Sequence, residues 1–421
     1  MLFGMNKLIY LMVLISVGAS AQMLPLNMRW VGSWASSQQI PEPRNTLPAA
    51  DLTNATVRQV VHLSLGGDEL RIRLSNQWGT LPLRFTSVHI ARAVAPGSSQ
   101  IEAKTDTVVT FGGRAEVTIP AGAEYVSDPV TFDAAPLSNV AITYYLKQAP
   151  ARETSHPGSR ATTYYEHGDH VSAAEMTGVG TVDHWFELSG VEVAAPRRAR
   201  CIVALGDSIT DGHASGTNKN QRWPDFLAAR LQANRKTRDV CVLNEGIGGN
   251  RLLHYGLGPA AAARVYSDVL AQPGVKYLIV LEGVNDLGVM GLKKDVTLAE
   301  NKAMVQQMIL AYEQMIFLAH QHGIEAIGGT IMPFKGSLYY HPDAMIEKDR
   351  EEINAWIRKP GHFDKVIDFS KVMQDPADPE RLNPKYDSGG HLHPGPAGYK
   401  HMADAIPLGW FAKSPRQVHP K

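Results

Sequence analysis

A serine stands in a small polar turn at the end of an apolar run, Val203-Ala204-Leu205-Gly206-Asp207-Ser208-Ile209-Thr210-Asp211-Gly212. Serine is the commonest oxygen nucleophile in enzymes, but it needs a base and donors for the developing oxyanion. One Asp-Ser turn by itself is an ordinary strand-to-loop junction. Segments further along the chain supply the missing partners. Val242-Leu243-Asn244-Glu245-Gly246-Ile247-Gly248-Gly249-Asn250-Arg251 is a second apolar run, and its glycine-rich turn leaves backbone N–H groups uncovered for an oxyanion. Tyr277 to Leu281 is a third, and it leads to Asn285, whose amide can donate. His391-Leu392-His393-Pro394 offers a histidine able to act as general base. Nucleophile, donors and base thus follow predicted strand ends, where open parallel sheets hold their ligands.

In that chain order Ser208, Gly249, Asn285 and His393 resemble the SGNH (GDSL) hydrolase superfamily, over about residues 199 to 410. Arg222-Trp223-Pro224-Asp225, Gly328-Gly329-Thr330-Ile331 and Tyr386-Asp387-Ser388-Gly389 also look like the secreted two-domain esterases of that superfamily. The resemblance implies that Ser208 is the nucleophile and His393 the base. It implies three oxyanion donors: the N–H groups of Ser208 and Gly249 and the amide of Asn285. The activity implied is acyl transfer in two steps through an acyl-enzyme, on short-chain acyl or acetyl esters, with no cofactor and no metal.

The resemblance breaks at one place. The family's last block reads Asp-x-x-His-Pro, and Gly390 stands where the Asp should orient the imidazole. Loss of that carboxylate from a Ser-His-Asp triad costs about 10⁴ in kcat. Three readings stay open: Asp387 swings in as the orienting acid, a backbone carbonyl orients the ring and leaves a Ser-His dyad, or the site is crippled. The last of these makes the chain a catalytically weak or inactive protein with a glycan-binding role.

Other patterns are bland. His391 and His393 can be drawn as a metal pair, but the chain has no His-Glu-x-x-His, and two cysteines forty residues apart lack a zinc spacing. Gly256-Leu257-Gly258-Pro259-Ala260-Ala261 satisfies a loose dinucleotide pattern, yet no strand leads into it, and it reads as a loop before a helix. The G-x-S-x-G elbow of the α/β-hydrolases is missing from the sequence. Trp223, Phe226, Leu227 and Leu231 sit at helical spacing and read as core.

The elements that must position these residues follow from texture. From 201 onward, strands at 201–205, 240–244, 276–282, 325–331 and 365–369 alternate with helices at 222–233, 298–322 and 343–357. Such alternation predicts an α/β, flavodoxin-like parallel sheet with helices on both faces. Before it, short alternating runs at 57–65, 69–75, 84–91, 115–119, 139–146 and 161–165, split by turn residues, predict an antiparallel, jelly-roll-like β-sandwich. That sandwich either roofs the cleft or binds carbohydrate. The expected organisation is a signal peptide over 1–21, the sandwich over 22–196 and the catalytic domain over 197–421.

Lys7, the apolar stretch Leu8 to Val17 and Ala19-Ser20-Ala21 fit a secretory signal cleaved before Gln22, hence a secreted or periplasmic protein. No later apolar segment reaches the ~20 residues of a membrane span. Lys+Arg and Asp+Glu balance at 41 each, so no basic excess recommends nucleic acid, and the expected partner is a small-molecule or carbohydrate ester. Cys201 and Cys241 hold equivalent places five residues before Gly206 and Gly246. They are expected as two buried thiols, since side chains on adjacent parallel strands seldom meet disulfide geometry.

Overall fold

The computed structural model describes residues 24–413. The predicted signal peptide therefore falls outside the described residues. Five strands form a wholly parallel sheet: Arg200–Gly206 (β1), Val240–Gly246 (β2), Val275–Leu281 (β3), Glu325–Gly329 (β4) and Lys365–Ile367 (β5). Their order is β2-β1-β3-β4-β5, with all four pairings parallel. This is the flavodoxin-like order, whose strand sequence reverses beside β1. Strands buried on both faces read as unbroken apolar runs, and Cys201 to Leu205 are each fully buried.

The helices lie close to where periodicity puts them. The longest, Leu298–Gln321, begins with a capping box in which Thr297 and Glu300 satisfy each other's backbone N–H groups. Trp223–Ala233 opens with Pro224 in its first turn, and its apolar positions Trp223, Leu227 and Leu231 are core.

Two large antiparallel sheets and two two-stranded ones precede the parallel one among the described residues. In the first, Leu188–Pro196 lies between Met28–Ala35 and Gly67–Ser75. The second is built around Thr163–His167, Ala55–His62, Asn139–Leu146 and Ser87–Arg92. The run expected over 84–91 is two strands, Leu83–Phe85 and Ser87–Arg92. The strands Met28–Ala35 and Leu188–Pro196 escape a pattern search because each contains glycine and each finds its partner about 160 residues away, through the fold rather than the local sequence.

Only residues 197–199 separate the last antiparallel strand from β1, and the buried side chains of the two parts merge into one core. Gly32 makes that close approach possible. A Cβ there would come 2.8 Å from Leu243 Cδ1 of β2, and the Gly32 N–H donates to the Pro273 carbonyl at 2.9 Å. The turn at Asn76, Gln77 and Trp78 is structural, since Trp78 Nε1 donates to the Gln38 carbonyl at 3.0 Å.

The expectation of two free thiols is corrected. Cys201 and Cys241 form a disulfide, because register sets them directly opposite on β1 and β2 with Cα atoms 4.7 Å apart, inside the bridging range. Their sequence separation of 40 closes a loop whose restriction in the unfolded chain is worth about 4 kcal/mol in the chain-entropy account. Thermal melts with and without a thiol reductant under denaturing equilibration are expected to show a lower Tm for the reduced chain. Equal Tm values for the oxidised and fully reduced protein would remove the disulfide from the stability account.

Candidate active site

The turn after β1 carries Ser208 on a short helix, Ser208–Asp211, whose first N–H groups have no intrahelical partners. Asp207 caps it by accepting from the Ile209 N–H at 2.8 Å, and Gly212 ends it in the left-handed region at φ 92°. Beneath the turn, the buried Arg264 guanidinium donates to the carbonyls of Gly206 at 2.9 Å and Glu245 at 2.6 Å. One cation thus ties together the carboxyl ends of β1 and β2. It is surrounded by Asp207, Glu282 and Glu245, whose carboxyls burial pushes up while Arg264 pulls them down.

Ser208 Oγ lies 2.8 Å from His393 Nε2. Oriented this way, a neutral imidazole protonated on Nδ1 accepts the hydroxyl proton. Burial, then His213 and Arg160, pull the His393 imidazole down to about 3. The ring is therefore neutral across the acid range. If His393 is the base, kcat/KM should stay level from about pH 8 to about pH 5 instead of falling through the ordinary histidine range near 6.5. The check is the pH profile for a neutral ester, and an acid limb centred near pH 6.5 would contradict it.

Gly249 follows the β2 turn with φ 73°, a backbone region that favours glycine, and a Cβ there would press to within 2.4 Å of Leu257 Cδ1. Neither its N–H nor that of Ser208 donates to a protein acceptor among the described residues. Asn285 sits in the first turn of the helix Val284–Gly291 that follows β3. Tyr340 Oη donates to Asn285 Oδ1 at 2.7 Å, and Asn285 Nδ2 donates to the Asn250 carbonyl at 2.6 Å. An amide nitrogen has two hydrogens, so the second remains for the pocket. Burial raises the Tyr340 phenol, which keeps it protonated and donating.

Ser208, Gly249, Asn285 and His393 line one cavity of about 330 Å³. Asp387 does not join them, which corrects the expectation that it orients His393. Its Oδ2 meets His391 Nδ1 at 2.5 Å, and its Oδ1 accepts from the N–H groups of Gly389 at 3.0 Å and His391 at 3.1 Å. The short polar side chain closes its own loop, as Asp commonly does, and makes no hydrogen bond or ion pair with the His393 ring. No carboxylate oxygen stands within 4.0 Å of a His393 ring nitrogen among the described residues. Its ring packs instead on His213, with centroids 4.2 Å apart.

The antiparallel part contributes directly to this cavity through Gln39, Glu42, Arg44, Gly158 and Arg160. It also supplies His156, buried behind the cavity lining, which nothing in the sequence marked. His156 Nδ1 lies 2.8 Å from the Ser37 carbonyl, an acceptor only, so that nitrogen carries a hydrogen. Its Nε2 lies 3.0 Å from Asp211 Oδ1, a buried contact between ring and carboxylate. Three residues after Ser208, the helix is thus pinned by a side chain from the other part of the chain.

Residues 204–401 match the GDSL-like lipase/acylhydrolase family, and they hold all four residues of the Ser-Gly-Asn-His set. Similar solved structures include an acetylxylan esterase from Geobacillus stearothermophilus, 18% identical, which covers 53% of this chain and 97% of its own at a TM-score of 0.37. A GDSL-like lipase from Bacteroides thetaiotaomicron is 18% identical, with 49% of this chain and 85% of its own covered and a TM-score of 0.35. An α/β hydrolase enzyme from the metagenome of Lake Arreo, Spain, is 20% identical, with 52% and 98% covered and a TM-score of 0.37. Among curated proteins none matches the chain.

Proposed function

We propose that the protein is a serine-dependent carboxylic ester hydrolase. The observation that carries this reading is the 2.8 Å contact between Ser208 Oγ and His393 Nε2 in a cavity that Gly249 and Asn285 also line. His393 takes the Ser208 proton as Oγ attacks the ester carbonyl. The N–H groups of Ser208 and Gly249 and the free hydrogen of Asn285 Nδ2 receive the oxyanion. The tetrahedral intermediate collapses, the alcohol leaves with the proton from His393, and an acyl-enzyme remains. Water, deprotonated by the same imidazole, releases the acid and restores the serine. The family match over 204–401 supports ester hydrolysis in general. A cavity of about 330 Å³ suits a short acyl or acetyl group on a small-molecule or carbohydrate alcohol. Delivery to the periplasm or the exterior, after removal of residues 1–21, belongs to the same proposal.

Gly390 favours a second reading, a catalytically weak protein with a glycan-binding role. A fluorophosphonate probe separates the two. The esterase reading expects one probe per chain, attached to Ser208 and located by peptide mass. A chain that stays unlabelled, or is labelled elsewhere, would overturn it.

A further inference from the structure

Arg160 is a cation in this cavity with no ion pair among the described residues. It lines the space shared by Ser208 and His393, and no carboxylate oxygen lies within 4.0 Å of its guanidinium among the described residues. Its Nε is buried without a hydrogen-bond partner, and its Nη2 contacts His213 Nδ1 at 3.2 Å. A guanidinium only donates, so Nδ1 of that ring is the acceptor in this contact, and burial, then Arg160, disfavour a charged His213. The backbone of Arg160 sits at φ 48°, a conformation that non-glycine residues hold only where the surroundings impose it. Arg44 lines the same space and has no ion pair among the described residues.

Two carboxylates, Asp211 and Glu42, line the same space, and neither pairs with Arg160. Asp211 Oδ1 is taken by His156, and Glu42 Oε2 accepts from Asn45 Nδ2 at 2.6 Å. The other Asp211 oxygen, Oδ2, is buried with no partner, against Gly158 and Gly248.

We infer that the site takes esters that carry an anionic group, a carboxylate in the simplest case, and that the Arg160 guanidinium binds it. This rests on the serine-esterase reading and deepens it to a substrate class. The chemistry is coherent with Gly390. A triad acid would stabilise the imidazolium that forms on His393, whereas here the Arg160 guanidinium in the same cavity opposes it. An anion docked on the guanidinium cancels that opposition, so the substrate itself relieves the electrostatic burden left by the missing Asp.

The test compares two matched pairs of esters. In the first, mono-p-nitrophenyl adipate is set beside p-nitrophenyl hexanoate, which puts the anion on the acyl half. In the second, 4-acetoxybenzoate is set beside its methyl ester, which puts the anion on the alcohol half. In at least one pair the wild type should favour the anion in kcat/KM, and Arg160→Gln should lower that ratio by at least about tenfold, the worth of one charge-assisted hydrogen bond. Arg160→Lys should retain part of it, and added salt should erode it. Because each variant is its own reference through the neutral ester, partial misfolding leaves the ratio intact. No preference in either pair, or a preference that survives Arg160→Gln, overturns the inference. If Ser208→Ala hydrolyses all four esters like the wild type, the serine-esterase reading fails instead. Calorimetric binding of adipate then still decides the anion site: binding weakened by Arg160→Gln supports it, and binding unaffected or absent in the wild type contradicts it.

Discussion

Gly390→Asp is expected to raise kcat for a neutral ester such as p-nitrophenyl acetate. The gain should be at least about tenfold, with a ceiling of about 10⁴ set by the cost of removing the acid from a complete triad. The position can accept the change. A Cβ built on Gly390 meets nothing within 4 Å, and its φ lies outside the left-handed region that would penalise a side chain. The Leu338 N–H donation to the Gly390 carbonyl at 3.2 Å does not involve the side chain and survives the substitution. A carboxylate three residues before His393 supplies the attraction for an imidazolium that the wild type lacks. The same variant should therefore move the acid limb of the pH profile upward from its depressed position. Faster turnover with an unmoved limb would mean that the new carboxylate acts on something other than His393. Unchanged turnover would mean that the ring is already oriented.

The second large effect concerns the oxyanion donors. Asn285→Ala should lower kcat by about 10² to 10³ and leave KM nearly unchanged, as expected for a donor that matters chiefly in the transition state. Tyr340 is a positioning residue in this account, since its hydroxyl fixes which face of the Asn285 amide meets the cavity. Tyr340→Phe should cost about tenfold in kcat, the worth of one buried hydrogen bond. Combined with Asn285→Ala it should cost nothing further, because the amide it orients is gone. A double variant as slow as the product of the two single effects would show that Tyr340 acts independently of Asn285.

What the sequence made legible was local. The strand ends at Gly206, Gly246 and Leu281 each pass from an apolar run into a polar or glycine-rich turn, and a parallel sheet then gathers such turns along one edge whatever the loop details. Ser208, Gly249 and Asn285 therefore fell near one another as expected, and His393 joined them from the loop before the helix Pro396–Asp404. Contacts that depend on long-range docking were illegible. His156, Arg160 and Tyr340 stand in turns or edge segments with no motif around them, and their roles follow only from which surface packs over the sheet. Asp387 misled for a related reason. Spacing along the chain placed it near His393 but gave no direction, and the nearer His391 and two backbone N–H groups claimed its carboxylate. The cysteines show the converse, since their equivalent positions on β1 and β2 were readable, and the register that sets them face to face needed the folded sheet.

The central claim is that Ser208 attacks the ester with His393 as its base. The most direct test is steady-state hydrolysis of p-nitrophenyl acetate by the wild type and by Ser208→Ala, side by side. Measurable turnover is expected in the wild type and a loss of at least about 10³ in kcat on substitution, leaving what the remaining donors and binding alone provide. Turnover by Ser208→Ala equal to that of the wild type would contradict it.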